Sequence, residues 1–165
     1  MKLERLFRFY FHLENMLGRS AMSATVLRPV GTLNVGDSEF KKKLSKVQFE
    51  VLRQARTEPR GITVAKGGFD DHFQKGNYLC AACNSKLYTS EMKFDCGCGW
   101  PGFWTNVPNA VCERPETDGS SRVEIICSFC ESHLGHLFRG ESFNNPDPNE
   151  RHCVNSVSLQ FQAPD

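Results

Sequence analysis

The residues best suited to chemistry lie near the end of the chain, around Cys153. Read as a strand, residues 151–161 alternate between two faces, and one face carries Cys153 and Asn155 ahead of apolar residues. Arg151 and His152 place cationic and hydrogen-bonding groups beside the thiol, which is the usual setting of a reactive cysteine. Taken alone, a core cysteine in a last strand is the simpler interpretation. The two interpretations therefore depend on what the rest of the chain provides.

Two further cysteine pairs share one spacing, Cys80-x-x-Cys83 and Cys127-x-x-Cys130, and each pair follows strand-like residues. Two such turns that face each other would provide the four thiolates of a tetrahedral zinc ion. The long separation between the pairs exceeds that of a compact zinc finger, so the ion is predicted to join two distant hairpins. Four thiolates leave no open coordination position, which indicates a structural ion. Disulfides or a thioredoxin-like redox pair are the alternatives, and neither accounts for two matching pairs.

Two other segments carry candidate functional side chains. His133 and His136 follow the second cysteine pair closely, and we interpret them as proton donors more readily than as ligands of a second metal. The glycine-rich segment 95–104 combines the thiol of Cys98 with the rings of Trp100 and Phe103. Its glycines allow sharp turns, so it predicts a small apolar pocket beside a thiol. An aromatic turn that plugs the end of a barrel is the alternative.

A strand-rich body is expected to position these residues. The 165 residues include thirteen Gly, eight Pro and thirteen Phe, which favours a turn-rich, aromatic-packed β structure. Residues 37–55 carry the apolar stripe of a helix, and a capping box at Ser45 and Gln48 predicts that the helix restarts at Ser45. Strands are predicted at 77–80 and 86–88, paired around the first cysteine turn, and at 122–127. Residues 144–149 are predicted to form an exposed turn.

Charge and hydropathy exclude several classes of function. The formal net charge of +1, from 20 Lys and Arg against 19 Asp and Glu, argues against a nucleic-acid partner. No apolar run approaches the roughly 20 residues that span a bilayer, so no membrane partner is expected. Residues 1–37 are interpreted as an N-terminal extension or a targeting leader, because the first thirteen are basic and amphipathic. Residues 38–165 are predicted to form one domain. Metal-binding cysteines favour an intracellular location, in the cytoplasm or the mitochondrion.

Four motifs in order, between residues 38 and 161, resemble those of the B-type methionine sulfoxide reductases. They are Cys80-x-x-Cys83, Gly97-Cys98-Gly99-Trp100-Pro101-x-Phe103, Cys127-x-x-Cys130-x-x-His133-Leu134-Gly135-His136-x-Phe138 and Arg151-x-Cys153-x-Asn155-Ser156-x-Ser158-Leu159. The resemblance implies a mainly β fold of two twisted antiparallel sheets, β-tent-like, with short N-terminal helices and a structural zinc knuckle. It also implies a monomeric repair enzyme that reduces the R epimer of methionine sulfoxide in oxidised proteins or peptides, with thioredoxin as reductant.

The resemblance further implies the role of each matching residue. Cys153 would be the nucleophile and Cys98 the resolving cysteine, while Trp100 would receive the substrate methyl group with help from Phe103. The zinc ligands would be Cys80, Cys83, Cys127 and Cys130. The chemistry suits these residue types, since a thiolate that attacks a sulfoxide becomes a sulfenic acid. A second thiol converts that acid to a disulfide, which an external dithiol reduces.

The expected acid and its neighbours complete the implied site. His133, His136 and Asn155 would bind and protonate the sulfoxide oxygen, and Arg151 would keep Cys153 as a thiolate. The chain departs from the family pattern at His152, which could add positive charge beside Cys153.

Three more departures concern the glycine-rich turn and the segment that follows Phe138. Gly102 stands where serine or alanine is common, and Arg139-Gly140-Glu141 is unlike the usual continuation. Cys96 is a second thiol two residues from Cys98, so the identity of the resolving cysteine stays open. Two rival functions also stay open: a non-catalytic zinc-ribbon module that binds protein or nucleic acid, and a general disulfide oxidoreductase.

Overall fold

The computed structural model describes residues 33, 35–116 and 122–164. The first thirteen residues, on which the interpretation of a targeting leader rests, lie outside this part of the chain.

Two short helices precede the sheets. Helix α1 spans Asp37–Lys43 and helix α2 spans Lys46–Gln54. The predicted restart at Ser45 is confirmed, because the Ser45 side chain accepts the Gln48 backbone N–H while the Gln48 side chain accepts the Ser45 N–H. Neither helix, nor any other helix among the described residues, is long and apolar enough to cross a membrane.

The described strands form two antiparallel sheets. In chain order they are β1 (Asn77–Cys80), β2 (Lys86–Thr89), β3 (Lys93–Phe94), β4 (Gly102–Phe103), β5 (Val111–Pro115), β6 (Val123–Cys127), β7 (His133–Phe138), β8 (Arg151–Val154) and β9 (Leu159–Gln162). One sheet has the strand order β2-β1-β9 and the other β3-β4-β8-β7-β6-β5. The mainly β fold of two antiparallel sheets is therefore confirmed. The predicted strands at 77–80, 86–88 and 122–127 are also confirmed, as β1, β2 and β6.

The core joins the two sheets through aromatic side chains. Tyr78 of the small sheet lies edge-on to Phe103 of the large sheet, with ring centroids 5.1 Å apart. Tyr88, also of the small sheet, stacks on the same ring with centroids 4.1 Å apart. All three side chains are fully buried, and burial of each ring contributes on the order of 2 kcal/mol to folding. The two sheets are thus held as one body.

The interpretation of residues 151–161 as a single strand is wrong. Strand β8 ends at Val154, a 3₁₀ turn occupies Ser156–Ser158, and β9 begins in the other sheet. The cause is distant in sequence. The buried carboxylate of Glu58 accepts the backbone N–H groups of Ser156, at 2.5 Å, and Val157, at 2.9 Å. Those N–H groups lie at the start of the turn and need partners there.

Candidate active site

The two cysteine pairs meet where the sheets approach each other. Cys80 ends β1 and Cys127 ends β6, while Cys83 and Cys130 lie in the turns that follow. All four sulfur atoms lie within 4.8 Å of one another, and Cys80–Cys130 and Cys83–Cys127 are each 3.7 Å apart. A tetrahedral ion with metal–sulfur bonds of about 2.3 Å would separate its sulfurs by about 3.8 Å, whereas a disulfide would hold them at about 2.0 Å. The four thiols therefore fit one metal ion, and the predicted facing of the two turns is confirmed.

Helix α2 is hydrogen-bonded to the turn that carries Cys130. Arg53 donates to the backbone oxygen of Cys130 at 2.8 Å and to the Ser132 hydroxyl at 3.1 Å, and it also pairs with Asp37 at 2.7 Å. The next residue, His133, opens β7. The four-cysteine cluster thus lies directly before the strand that carries both histidines.

A second group of thiols lies around Cys153 on β8. Cys98 Sγ is 3.4 Å from Cys153 Sγ, and Cys96 Sγ donates to Cys98 Sγ at 2.9 Å. The structure therefore brings together the two cysteines to which the family resemblance gives the roles of nucleophile and resolving thiol. Cys96 belongs to the same cluster.

The glycine-rich turn that carries Cys98 is pinned from one side by residues 60–61. Arg60 donates to the Gly97 carbonyl at 3.1 Å, and the Gly61 N–H donates to the Gly99 carbonyl at 2.7 Å. Gly97 and Gly99 adopt φ values of 66° and 86°, a left-handed region that glycine enters without strain. A Cβ at Gly99 would also lie 2.4 Å from the Arg60 side chain. These glycines are required by the turn.

The three thiols share charge through their hydrogen bonds. The pKa of Cys98, the central sulfur, is held well below its usual value because Cys153 and Cys96 donate to it. The same contacts with Cys98 raise the pKa values of Cys153 and Cys96. Loss of one proton from the cluster is therefore favoured at Cys98, where the thiolate accepts hydrogen bonds from the two remaining thiols.

Arg151 supplies the positive charge next to this cluster. It donates two hydrogen bonds to the Glu141 carboxylate, at 2.5 and 2.7 Å, and its guanidinium lies 4.0 Å from the centre of the Phe138 ring. Its charge opposes the rise in the pKa values of Cys153 and Cys96 that the contact with Cys98 causes, and it adds to the lowering of the Cys98 pKa. Glu141, in the segment that departs from the family pattern, is the residue that holds Arg151 in place.

Alkylation of the thiols should reveal this effect. Arg151→Met removes the charge but keeps the apolar contact with Phe138. Because the positive charge stabilises the thiolate, its loss raises the thiol pKa, and less thiolate is present at any given pH. We expect the alkylation rate–pH profile of Cys153 and Cys98 to move upward by roughly one pH unit. The measurement is iodoacetamide labelling, followed by peptide mass spectrometry from pH 4 to about 10.

Two further variants separate the charge from its partner. The double variant Arg151→Met/Glu141→Gln also removes the carboxylate that would otherwise be left unpaired, and the upward shift should persist in it. Lys42→Met, on the exposed face of α1, should leave the profile unchanged. An Arg151→Met profile that superimposes on the wild type would show that Arg151 does not stabilise the thiolate.

Cys153 opens into a cavity of about 150 Å³. Cys153 of β8 lies directly opposite Gly102 of β4 on one side and His136 of β7 on the other. Residues directly opposite each other project from the same face of a sheet. The cavity is lined by Thr57, Trp100, His136, Phe138, Cys153 and Asn155, among others. Its volume suits one amino-acid side chain rather than a larger ligand.

The two histidines differ in their access to this cavity. His136 lines it, and its Nε2 lies 2.9 Å from Glu116 Oε1. His133 is buried behind His136, and the centroids of the two rings are 5.5 Å apart. The Nδ1 atom of His133 lies 2.8 Å from Glu124 Oε1. Burial lowers the pKa of His133, so its ring is neutral at neutral pH. Its Nε2 has no hydrogen-bond partner among the described residues. The pairing of β6 with β7 contains an irregularity in which Leu134 is the extra residue. This extra residue brings the His133 and His136 rings to the same face of the sheet.

Glu58 is a site residue that sequence reasoning missed. Its backbone N–H donates to the Asn155 side-chain oxygen at 3.0 Å, and its carbonyl accepts from Trp100 Nε1 at 3.4 Å. Together with its carboxylate contacts to the 3₁₀ turn, these bonds place Asn155, Trp100 and the neighbouring Thr57 around one cavity. The Asn155 amide also donates to the Leu134 carbonyl at 3.0 Å. No local sequence signal distinguished Glu58, since it follows a helix end as an ordinary surface glutamate would.

Burial separates two of the expected residues from the cavity. Phe103 is fully buried and stacked on Tyr88, and it is not among the residues that line the cavity, so its help in substrate binding stays a prediction. His152 is 2% exposed and points away from the thiol, toward the Tyr88 hydroxyl, at 3.2 Å, and Glu150. Burial lowers the pKa of His152, so it adds no positive charge beside Cys153. Alternation along β8 is the reason, because adjacent residues occupy opposite faces.

Comparison with known proteins agrees with this geometry. The SelR domain family matches residues 44–163. The chain is 45% identical to Peptide methionine sulfoxide reductase B7 of Arabidopsis thaliana over 144 residues. This aligned region covers 87% of this chain and 96% of that protein. It is 46% identical over 145 residues to the B8 protein of the same organism, covering 88% and 97%. It is also 46% identical over 131 residues to Peptide methionine sulfoxide reductase B3, chloroplastic, of Oryza sativa subsp. japonica, covering 79% and 55%.

The matching family spans most of the chain, and the residues that its motifs share converge on one cavity and one four-cysteine cluster. The chain therefore belongs to the B-type methionine sulfoxide reductases, a family of oxidoreductases.

Proposed function

We propose that this protein reduces the R epimer of methionine sulfoxide in oxidised proteins or peptides to methionine. The observation that carries the proposal is the contact between Cys153 and Cys98, 3.4 Å apart, at a cavity that is also lined by His136 and Trp100. Two thiols at this distance can pass from sulfenic acid to disulfide without a large movement. A chiral cavity with an acid on one wall and an indole on another can distinguish the two epimers at sulfur.

The cavity walls suit the groups around a sulfoxide sulfur. The Trp100 indole offers an apolar surface for the methyl group, and its hydrogen bond to the Glu58 carbonyl holds the ring in place. His136, on the strand beside Cys153, is placed to donate a proton to the sulfoxide oxygen. The Asn155 amide has two N–H groups, and the one that is not bonded to Leu134 can donate to the same oxygen.

The first step follows from these placements. Cys153 passes its proton to the Cys98 sulfur, 3.4 Å away, and the resulting Cys153 thiolate attacks the sulfoxide sulfur while His136 protonates the oxygen. The product methionine leaves with Cys153 as a sulfenic acid. His133 is buried and neutral, so it orients the His136 ring rather than donating to the substrate.

The second step uses Cys98. Its sulfur attacks Cys153 Sγ, water leaves, and a Cys98–Cys153 disulfide forms. An external dithiol such as thioredoxin then reduces this disulfide by thiol–disulfide exchange. In total, one sulfoxide and two thiols give one methionine, one disulfide and one water.

Zinc is the metal that we assign to the four-cysteine cluster. Four thiolates with sulfur spacings near 3.7 Å favour a tetrahedral ion, and zinc is the usual occupant of such closed sites. It would hold the β1–β2 and β6–β7 turns together and take no part in the reaction. Metal thiolates and free cysteines persist under reducing conditions, so we propose that the protein lies in the cytoplasm or the mitochondrion. We also propose that it acts as a monomer.

An assay with separated epimers tests the function. With dithiothreitol as reductant, we expect a peptide that contains methionine R-sulfoxide to be reduced at least about 100-fold faster than its S epimer, because the acid and the indole occupy different, fixed positions in the cavity. Product methionine is measured by chromatography.

Competition with a protein disulfide distinguishes the rival disulfide oxidoreductase. With dithiothreitol in excess over both substrates, added insulin should not slow sulfoxide reduction, and the protein should not speed the reduction of insulin beyond its rate with dithiothreitol alone. Equal rates with the two epimers, or reduction of insulin accelerated by the protein at the expense of the sulfoxide, would contradict the proposed function.

A further inference from the structure

Cys96 makes the closest thiol contact in the cluster. Its Sγ lies 2.9 Å from Cys98 Sγ, whereas Cys153 Sγ lies 3.4 Å away. Cys98 is therefore the sulfur that contacts both of the others. Cys96 is half-buried between two exposed residues, Asp95 and Gly97, whereas Cys153 lies in β8 at the cavity. The cluster thus extends from the cavity toward the exposed surface of the turn.

Gly102 provides the space that Cys96 occupies. A Cβ at residue 102 would lie 2.7 Å from Cys96 Sγ and 3.3 Å from Cys96 Cβ. The first separation is too short for a real contact, so a side chain at this position would displace the sulfur. The thiol at 96 and the missing side chain at 102, two departures from the family pattern, therefore depend on each other.

The backbone between the two cysteines allows their sulfurs to meet. Gly97 adopts a φ of 66°, and its N–H donates to the Asp95 side chain at 2.9 Å. This turn places the side chains of Cys96 and Cys98 side by side. A disulfide between them needs the sulfurs to approach from 2.9 Å to about 2.0 Å, a smaller movement than the Cys98–Cys153 bond requires.

We propose that Cys96 is a recycling thiol that takes over the disulfide from Cys153. Cys96 Sγ attacks Cys98 Sγ of the Cys98–Cys153 disulfide, so that the Cys96–Cys98 bond forms and the Cys98–Cys153 bond breaks. Cys153 leaves as a thiolate, and the proton of Cys96 passes to solvent. The exchange involves no net oxidation or reduction. It rests on the proposed function, which supplies the first disulfide.

The exchange has two consequences for turnover. The charge of Arg151 stabilises the departing Cys153 thiolate, so the nucleophile is restored before any external reductant acts. The remaining disulfide lies between Cys96 and Cys98, beside the exposed Asp95 and Gly97. An external dithiol can then reduce it on the turn without entering the substrate cavity.

Methionine yield without a reductant tests the proposal. With excess R-sulfoxide peptide, the restored Cys153 can react again, so the wild type should form about two methionines per protein and finish with Cys153 as a sulfenic acid. Cys96→Ser and Cys96→Ala should each stop at about one methionine, with Cys98–Cys153 as the final disulfide. Cys112→Ser, on β5, is the matched control and should form about two, as the wild type does.

Peptide mapping identifies the bond directly. In the Cys112→Ser background, the protein is quenched with N-ethylmaleimide after one equivalent of substrate and digested with trypsin. Residues 94–122 then carry Cys96 and Cys98, and residues 152–165 carry Cys153. The cross-link between these peptides should appear first and decay to a disulfide within 94–122. In the further Cys96→Ser variant the cross-link should persist.

The outcomes separate the two proposals. One methionine per protein with a lasting Cys98–Cys153 bond in the wild type would overturn the recycling role and leave the reductase function intact. A Cys96–Cys153 bond as the first disulfide would also overturn it. If no methionine forms under any condition, the proposed function fails, and the recycling role fails with it.

Discussion

Cys153→Ser should abolish methionine sulfoxide reduction, with a loss of roughly 10³-fold or more in kcat. The hydroxyl of serine is a far weaker nucleophile than a thiolate, and neither Arg151 nor the neighbouring thiols can ionise it at neutral pH. Serine is close to cysteine in size, and position 153 is only half-buried, so the fold should be retained. The measurement is methionine formation with dithiothreitol, alongside a thermal unfolding curve.

Cys98→Ser is the matched variant for this result. It removes the partner thiol 3.4 Å from Cys153 but leaves the nucleophile in place. It should still form about one methionine per protein in a single turnover, with Cys153 trapped as a sulfenic acid that dimedone labels. Cys153→Ser should form none. If Cys153→Ser instead retained the wild-type rate, the attack would begin at another residue and the mechanism proposed above would be wrong.

Cys83→Ser should remove the metal and destabilise the whole domain. Domains of this size are stable by about 5–15 kcal/mol, and a structural zinc contributes about 10–16 kcal/mol of binding energy to folded peptides. Loss of one of four ligands therefore removes an amount comparable to the total stability. Cys83 is the partly exposed member of the cluster, so the variant loses a ligand without leaving a large cavity in the core.

Metal content and thermal unfolding check this result together. We expect about one zinc per wild-type protein by elemental analysis, and a sharply reduced content with a lowered unfolding temperature in Cys83→Ser. Cys112→Ser should match the wild type in both. A wild-type protein that carries no metal, or a Cys83→Ser variant with unchanged stability, would contradict a structural zinc site.

Local sequence patterns were sufficient wherever neighbouring residues form the structure. The capping box at Ser45 and Gln48 predicted the helix restart, because both hydrogen bonds form within one helical turn. The paired strands on either side of the Cys80 turn were also predicted, because strands joined by a tight turn are close in sequence as well as in space. Matching cysteine spacings predicted one shared cluster, since a tetrahedral ion constrains ligand number and geometry strongly.

Contacts between residues that are far apart in the sequence determined several features that local sequence patterns did not predict. The run 151–161 alternates as a strand should, yet Glu58, almost a hundred residues earlier, caps a turn in its middle. The aromatic turn carries both Trp100 and Phe103, and only the packing of the second sheet against the first shows that Phe103 is in the core. His152 adjoins the nucleophile in sequence but faces Tyr88.

Residue types and their spacing were enough to predict the cysteines that could react, the four-cysteine cluster and the family to which the chain belongs. These follow from chemistry that few residue types can perform at few spacings. The folded structure was needed to show which side chains share the cavity, that His136 reaches it while His133 lies behind, and that Cys96 contacts Cys98. Side-chain direction depends on register, on irregularities such as that at Leu134, and on long-range capping by Glu58. Those contacts join residues that no local pattern relates.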